Sequence, residues 1–117
     1  MAGTVNAGAS EAFRFFNTIT APTGTTTLRD DCPCQGFGTG RLFCRSDVAG
    51  TLKVYQAPAP VGTATSITYR QTDSIAVAAA GTSMPFTFNI LADYVRVDWV
   101  PTAGDPTAFE ASGQLLP

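Results

Sequence analysis

From Arg41 onward the chain divides into short, evenly spaced segments, each bounded by turn-forming residues. RLFCR (41–45), TLKVYQ (51–56), TSITYR (65–70), SIAVAA (74–79), PFTFNIL (85–91), YVRVDWV (94–100) and TAFEASGQ (107–114) are rich in β-branched and aromatic residues. Between them stand Asp47 to Gly50, the Ala-Pro-Ala-Pro-Val-Gly of 57–62, Gln71 to Asp73, Gly81-Thr82, Ala92-Asp93 and Pro101 to Pro106, all turn chemistry. Segments this short leave no room for helical layers. Many short strands at near-regular spacing predict an all-β, single-domain β-sandwich of jelly-roll type.

Alternation assigns faces. In YVRVDWV, Val95, Val97 and Trp99 share one side, the expected core face, while Tyr94, Arg96, Asp98 and Val100 share the other. Leu52, Val54 and Gln56 alternate with Thr51, Lys53 and Tyr55; Phe86, Phe88 and Ile90 alternate with Thr87 and Asn89; Cys44 falls beside Leu42 on a core face. SIAVAAAGTS contains alanines that favour helix, but it is short, and Ile75 and Val77 favour a strand.

Before Arg41 the text is less regular. FRFFNTITA (13–21) predicts a strand with Phe13, Phe15, Asn17 and Ile19 on one face and Arg14, Phe16, Thr18 and Thr20 on the other. Residues 21–40, broken by Pro22, Gly24, Pro33, Gly36, Gly38 and Gly40, read as loop with a short strand at Thr25 to Leu28. Residues 1–12 are small and read as a flexible arm ordered only by what it touches, leaving 13–117 as the sandwich domain.

With 117 residues the chain can bury a core without metals or disulfides. Only 14% of residues are charged, below the roughly 25% of typical soluble domains. Few charges oppose association, so either part of this surface is covered by neighbours or it is simply a neutral, Thr-rich β surface. The seven Lys and Arg are scattered against nine Asp and Glu, giving a net charge of −2, which argues against a nucleic-acid binder. No apolar run nears the roughly 20 residues that span a bilayer, so no membrane partner is expected. MAGTVNAGAS lacks the basic and apolar parts of a secretory signal, so folding in a cytoplasm is expected.

Catalytic chemistry finds little to work with. The chain has no histidine, which removes Ser-His-Asp and Cys-His catalysis and the usual zinc enzymes. GFGTG (36–40) leads into a strand and not a helix N-terminus, so it is read as a loop and not a phosphate cradle. Cys32, Cys34 and Cys44 could supply three thiolates, but Cys-X-Cys is tighter than usual zinc spacing and no fourth ligand stands near. Packing accounts for Cys44, and a bridge from Cys32 or Cys34 to Cys44 would require an oxidising medium. Asp30-Asp31 reads as a solvated turn. Asp93, Asp98 and Asp105 offer oxygen ligands for calcium but lack an Asp-x-Asp pattern. No metal, cofactor or enzymatic activity is expected.

Two stretches carry a resemblance. Ser46-Asp47-Val48-Ala49-Gly50-Thr51-Leu52-Lys53-Val54-Tyr55-Gln56, a strand ending in a Ser-Asp turn followed by an Ala-Gly-Thr-Leu strand start, resembles a recurrent text in small β-sandwich or jelly-roll virion proteins of tailed bacteriophages. Leu91-Ala92-Asp93-Tyr94-Val95-Arg96-Val97 is similar to a later strand of the same proteins, and Thr107-Ala108-Phe109 leads a closing strand as theirs does. The resemblance spans 41–117 and departs after Gln56, where Ala57-Pro58-Ala59-Pro60 replaces the usual polar turn. It implies a structural virion protein assembled in the bacterial cytoplasm, foremost a decoration (cement) protein that binds the major capsid protein and its own copies. A homo-oligomer is expected, with a trimer suited to a local threefold. Val5 in the arm, Phe16, Tyr55 and Tyr94 are the candidate interface residues. The alternatives are a tail, baseplate or fibre module binding a host glycan through Tyr55, Tyr69 and Tyr94, and a bacterial carbohydrate-binding or assembly module.

Overall fold

A computed structural model describes residues 11–62, 66–79 and 83–117. It contains eight strands: β1 (Phe13–Thr18), β2 (Thr26–Pro33), β3 (Thr39–Ser46), β4 (Gly50–Ala57), β5 (Arg70–Val77), β6 (Met84–Asn89), β7 (Tyr94–Pro101) and β8 (Phe109–Leu116). Two four-stranded sheets face each other, ordered β1-β8-β3-β6 and β2-β7-β4-β5, with every pairing antiparallel. The hydrogen-bonded pairs include β4 with β5, β3 with β6, β2 with β7 and β1 with β8, a long hairpin rolled around a core. This is the jelly-roll arrangement of the all-β sandwich. No helix among the described residues is long and apolar enough to cross a membrane.

The core follows the alternation. Val95, Val97 and Trp99 are fully buried, opposite Leu52 and Val54 on β4 and across from Leu42, Phe88, Phe109 and Leu115 on the other sheet. Trp99 meets Phe109 edge to face, with centroids 5.0 Å apart. The Trp99 ring lies on the bare backbone of Gly50, where an added Cβ would stand 2.2 Å from it. Gln56 is the polar member of the core-facing β4 series. Its amide donates to the Asn89 carbonyl at 2.8 Å and the Thr72 hydroxyl at 3.1 Å, and its oxygen accepts from the Leu91 N–H at 2.7 Å. It thereby joins β4 to the β6–β7 connection across the sandwich.

Three expectations are corrected, and each correction involves a bulge or register shift. In β1 the register skips between Arg14 and Phe16. Strict alternation put Phe15 and Phe16 on opposite faces; the bulge turns both inward, where they meet edge to face at 5.0 Å. Room for two phenyl rings comes from Gly113, whose absent Cβ would lie within 2.7 Å of both. Phe16 is therefore a core residue and not an outward interface residue, whereas Phe13 is 49% exposed and stacks on Phe37. In the second case, Arg70–Val77 is one strand where two were expected around a turn at 71–73. Val54 pairs with Asp73 and Tyr55 with Gln71, so Thr72 is the extra residue of a bulge, its hydroxyl turned to Gln56 and the Val54 carbonyl. In the third, β2 runs through Asp30-Asp31, which was read as a turn. The register shift between Arg29 and Cys32 absorbs the pair, with Asp31 at φ 45° and its N–H held by the Asp30 carboxylate at 3.0 Å. The expected arm at 1–12 lies outside the described residues up to residue 10, as does Val5.

Candidate functional site

The outer face of the β2-β7-β4-β5 sheet gathers the aromatic and charged residues that alternation excluded from the core. Tyr55 lies directly opposite Arg96, and Tyr94 precedes Arg96 by two residues on the same face. The Arg96 guanidinium sits 4.7 Å above the Tyr55 ring centre and 5.6 Å from that of Tyr69. Its Nε and terminal nitrogen donate to the two oxygens of Asp98 at 3.1 and 2.8 Å. This fork geometry raises the Arg96 pKa, chiefly through the hydrogen bonds to Asp98, and satisfies a carboxylate that is otherwise nearly buried. The Tyr69 hydroxyl donates to Asp31 at 2.6 Å. Partial burial, and then the Asp31 carboxylate, push that phenol well above its ordinary range, so it remains a donor.

The result is a stack of Tyr55, Arg96 and Tyr69 in which Asp98 holds the arginine and Asp31 holds the Tyr69 hydroxyl. It offers aromatic rings and one partly exposed cation for contact. It does not present a nucleophile next to a base. The sequence pointed to the tyrosines; it did not reveal that Arg96 and Asp98, two residues apart on one face, lock them in place.

The remaining candidate groups are kept apart. Asp93 accepts from the Ala59 N–H at 2.7 Å and from Gln35 Nε2 at 2.9 Å, contacts that hold its carboxyl below the ordinary value and pin the proline-rich connection after β4. Asp105, beyond the other end of β7, accepts from the Gly24 N–H, and Asp98 is paired with Arg96 between them. Among the described residues no three Cys, Asp or Glu side chains converge as a metal would require. Cys32, Cys34 and Cys44 are buried free thiols. Burial pushes Cys34 up to about 11, with the charges of Cys32 and Asp93 adding to it, and pushes Cys44 up to about 12. The Cys34 thiol donates to the Ala92 carbonyl at 3.2 Å.

The Ser-Asp turn after β3 is a structural clamp. Ser46 Oγ donates to the Val48 carbonyl and accepts the Val48 N–H, closing the turn. The Asp47 carboxylate accepts the Thr107 N–H at 3.0 Å and the Thr107 hydroxyl at 2.5 Å, fixing the start of β8.

No family model matches this chain, and no curated protein matches it in sequence. Among solved structures, the crystal structure of PBSX exported protein XepA is similar, with a TM-score of 0.64 at 16% identity. The similarity covers 97% of this chain and 40% of that protein, so the whole sandwich corresponds to less than half of its relative in shape. At that identity, what the two share is the fold.

Proposed function

We propose that this chain is a structural virion protein of a tailed bacteriophage, foremost a capsid decoration protein that binds coat subunits and its own copies, and not an enzyme. The observation that carries the reading is the correspondence of nearly the entire chain to part of XepA, an exported protein of the prophage PBSX. A sandwich of this build serves there as one portion of a larger phage-related protein, and the short motifs at 46–56 and 91–97 independently resemble virion proteins.

The surface chemistry supports assembly. The outer face carrying Tyr55, Arg96 and Tyr94 is pre-ordered, so docking a partner there immobilises few side chains. Its aromatic and arginine content matches the composition of interface centres. The coat protein and neighbouring copies of this chain are the proposed partners, with the virion as the location. Three buried reduced thiols suit folding in a reducing bacterial cytoplasm before release.

The test is imaging of particles from phage with and without the gene. Density on the head that disappears in the deletion supports decoration; density on the tail, or particles of identical appearance, overturns it. Removing residues 1–12 should lower occupancy on the head, and unchanged occupancy would count against the arm as a clamp.

A further inference from the structure

The two sheets have four edge strands, β1 and β6 in one and β2 and β5 in the other. An open edge is a row of unpaired N–H and C=O groups, which natural sheets blunt with bulges and charge. Three of these edges are blunted in that way. β1 has a bulge and Arg14; β2 has two register shifts and carries Arg29, Asp30 and Asp31; β5 has a bulge, Arg70 and Asp73. β6 differs from all three. Its sequence MPFTFN holds no charge, and its pairing with β3 runs unbroken from Met84↔Cys44 to Asn89↔Thr39.

The hydrogen bonds beyond the strand ends fix which backbone groups of β6 face the open edge. The Ile90 N–H donates to the Gly38 carbonyl at 3.0 Å, one step past the Asn89–Thr39 pair. Even-numbered residues of β6 therefore turn their backbone groups to β3, and Pro85, Thr87 and Asn89 turn theirs outward. The other side of β3 agrees. The Asp47 N–H donates to the Ala108 carbonyl at 3.1 Å, one step past the Ser46–Phe109 pair, so odd-numbered residues of β3 serve β8 and even-numbered ones serve β6. Pro85 suits this phase, because its missing N–H falls on the open side. The Asn89 carbonyl is already taken by the Gln56 amide at 2.8 Å. The edge thus offers both groups of Thr87, the carbonyl of Pro85 and the N–H of Asn89.

From this pattern we infer that β6 pairs with β6 of a second copy, antiparallel about a two-fold axis at Thr87, joining two four-stranded sheets into one. In that register Thr87 stands opposite itself and exchanges both bonds with its copy. Pro85 stands opposite Asn89 of the second copy. The Asn89 N–H meets the Pro85 carbonyl, and the proline that has no donor faces the carbonyl that needs none. No backbone group on the edge is left over. Moving the axis one residue, to Phe86, sets Pro85 opposite Thr87 and leaves the Thr87 carbonyl without a donor.

The side chains fit the same register. On the core-facing side, Phe86 falls opposite Phe88 of the second copy and Met84 opposite Ile90, at the non-hydrogen-bonded positions where side chains approach closest. In the single chain Met84 is 49% exposed and Phe86 and Ile90 are only partly buried, so pairing covers apolar surface. An isologous contact sets each residue near the axis against its own kind, which an uncharged strand tolerates and a charged one does not. The inference goes beyond the virion reading: it locates a copy-to-copy contact and gives a dimer, not the trimer that a local threefold suits. It stands on the geometry of one edge, so its failure would leave the virion reading in place.

The experiment is sedimentation velocity of the full chain at concentrations up to about 1 mM, the range of weak Kd values. An equilibrium between the 12.2 kDa monomer and a dimer is expected. Thr87→Lys sets like charges on the axis and should weaken the dimer at least about tenfold, with a native circular dichroism spectrum because Thr87 is exposed. Mixing Thr87→Lys with Thr87→Glu should restore the dimer. Cross-linking reads the register. Thr87→Cys puts two Cα atoms about 5.5 Å apart, within disulfide reach, so mild oxidation should give a covalent dimer. Asn89→Cys lies roughly 13 Å along the strand from its copy and should not cross-link. The native thiols are buried and do not compete. A chain that stays monomeric throughout or forms trimers overturns the inference, as does a dimer that Thr87→Lys leaves intact or a mixture that fails to restore it. Absence of the Thr87→Cys cross-link, or equal cross-linking of Asn89→Cys, overturns the register and the inference with it.

Discussion

Replacing Gly50 by alanine tests whether the β3–β4 turn motif is built around one side chain of the core. Gly50 is the first residue of β4, and an added Cβ would lie 2.2, 2.3 and 2.8 Å from three carbons on the outer edge of the Trp99 ring. Ordinary carbon contacts lie near 3.5–4.0 Å, so the ring would have to retreat by more than about 1 Å. Trp99 is fully buried and has Phe109 packed against it, so it lacks free space into which to retreat. Overpacking of this kind costs about 1–3 kcal/mol, and the rigidity of the ring places it near the upper end. The lower unfolded-state entropy of alanine offsets up to about 1 kcal/mol, leaving a net loss of about 2 kcal/mol. For a domain of this size that corresponds to a fall in Tm of roughly 8 °C. The assay is thermal unfolding by circular dichroism, in wild-type and Trp99→Phe backgrounds. Phenylalanine lacks the outer ring edge, so Gly50→Ala should be distinctly less harmful there. A wild-type-like Tm for Gly50→Ala, or the same loss in both backgrounds, would refute the proposed clash.

Four further outcomes are expected. Phe16→Ala should destabilise by about 3–5 kcal/mol in urea unfolding and Phe13→Ala by far less, because only Phe16 lies inside the sandwich; equal effects would contradict the β1 bulge. Gln56→Leu strands the Leu91 N–H and the Asn89 carbonyl and should lose about 2–3 kcal/mol by the same method, whereas a neutral result would mean that the cross-sandwich bonds contribute nothing net. At pH 8 native protein should resist a thiol reagent and denatured protein should titrate three thiols per chain, since burial keeps the native sulfurs protonated. Asp47 is held below its ordinary 3.8 chiefly by the Thr107 hydroxyl, so its stabilisation is complete above that value and is lost as pH falls through the lower folded-state value. Asp47→Asn should therefore flatten the acid limb of the stability–pH curve below about pH 4 without steepening it at neutral pH.

The sequence was most legible where burial enforced the alternation of inward and outward residues. Val95, Val97 and Trp99 on β7, and Leu52, Val54 and Gln56 on β4, occupy the faces that period-2 counting assigned, because each lies on a strand with neighbours on both sides. The errors fall in β1, β2 and β5, which are edge strands. An edge strand has one partner, so it can take up an extra residue without breaking a second ladder. Thr72, Phe15 and the Asp30-Asp31 pair are such residues or lie at such shifts. Alternation counting assumes that no residue is inserted, so a single bulge inverts every face assignment beyond it. Polar residues in the middle of β5 and β2 then resemble turns, when they are the points at which the ladder slips.

The same reasoning explains why the candidate surfaces were less legible than the core. A core face is specified by apolar residues that read the same way in any context. An outer face acquires meaning only from which strands lie side by side, and in a jelly roll the neighbours are distant in sequence: Arg41 meets Gln114, and Arg14 meets that same glutamine from the other side. Arg96 and Asp98 could be placed on one face by counting, but not beneath Tyr69, which reaches them from the connection before β5. The β1 bulge links these two levels. Turning Phe16 inward removes it from the outer surface and leaves Arg14 and Asn17 facing outward together, so the residue expected to make an interface instead decides which of its strand neighbours do face outward.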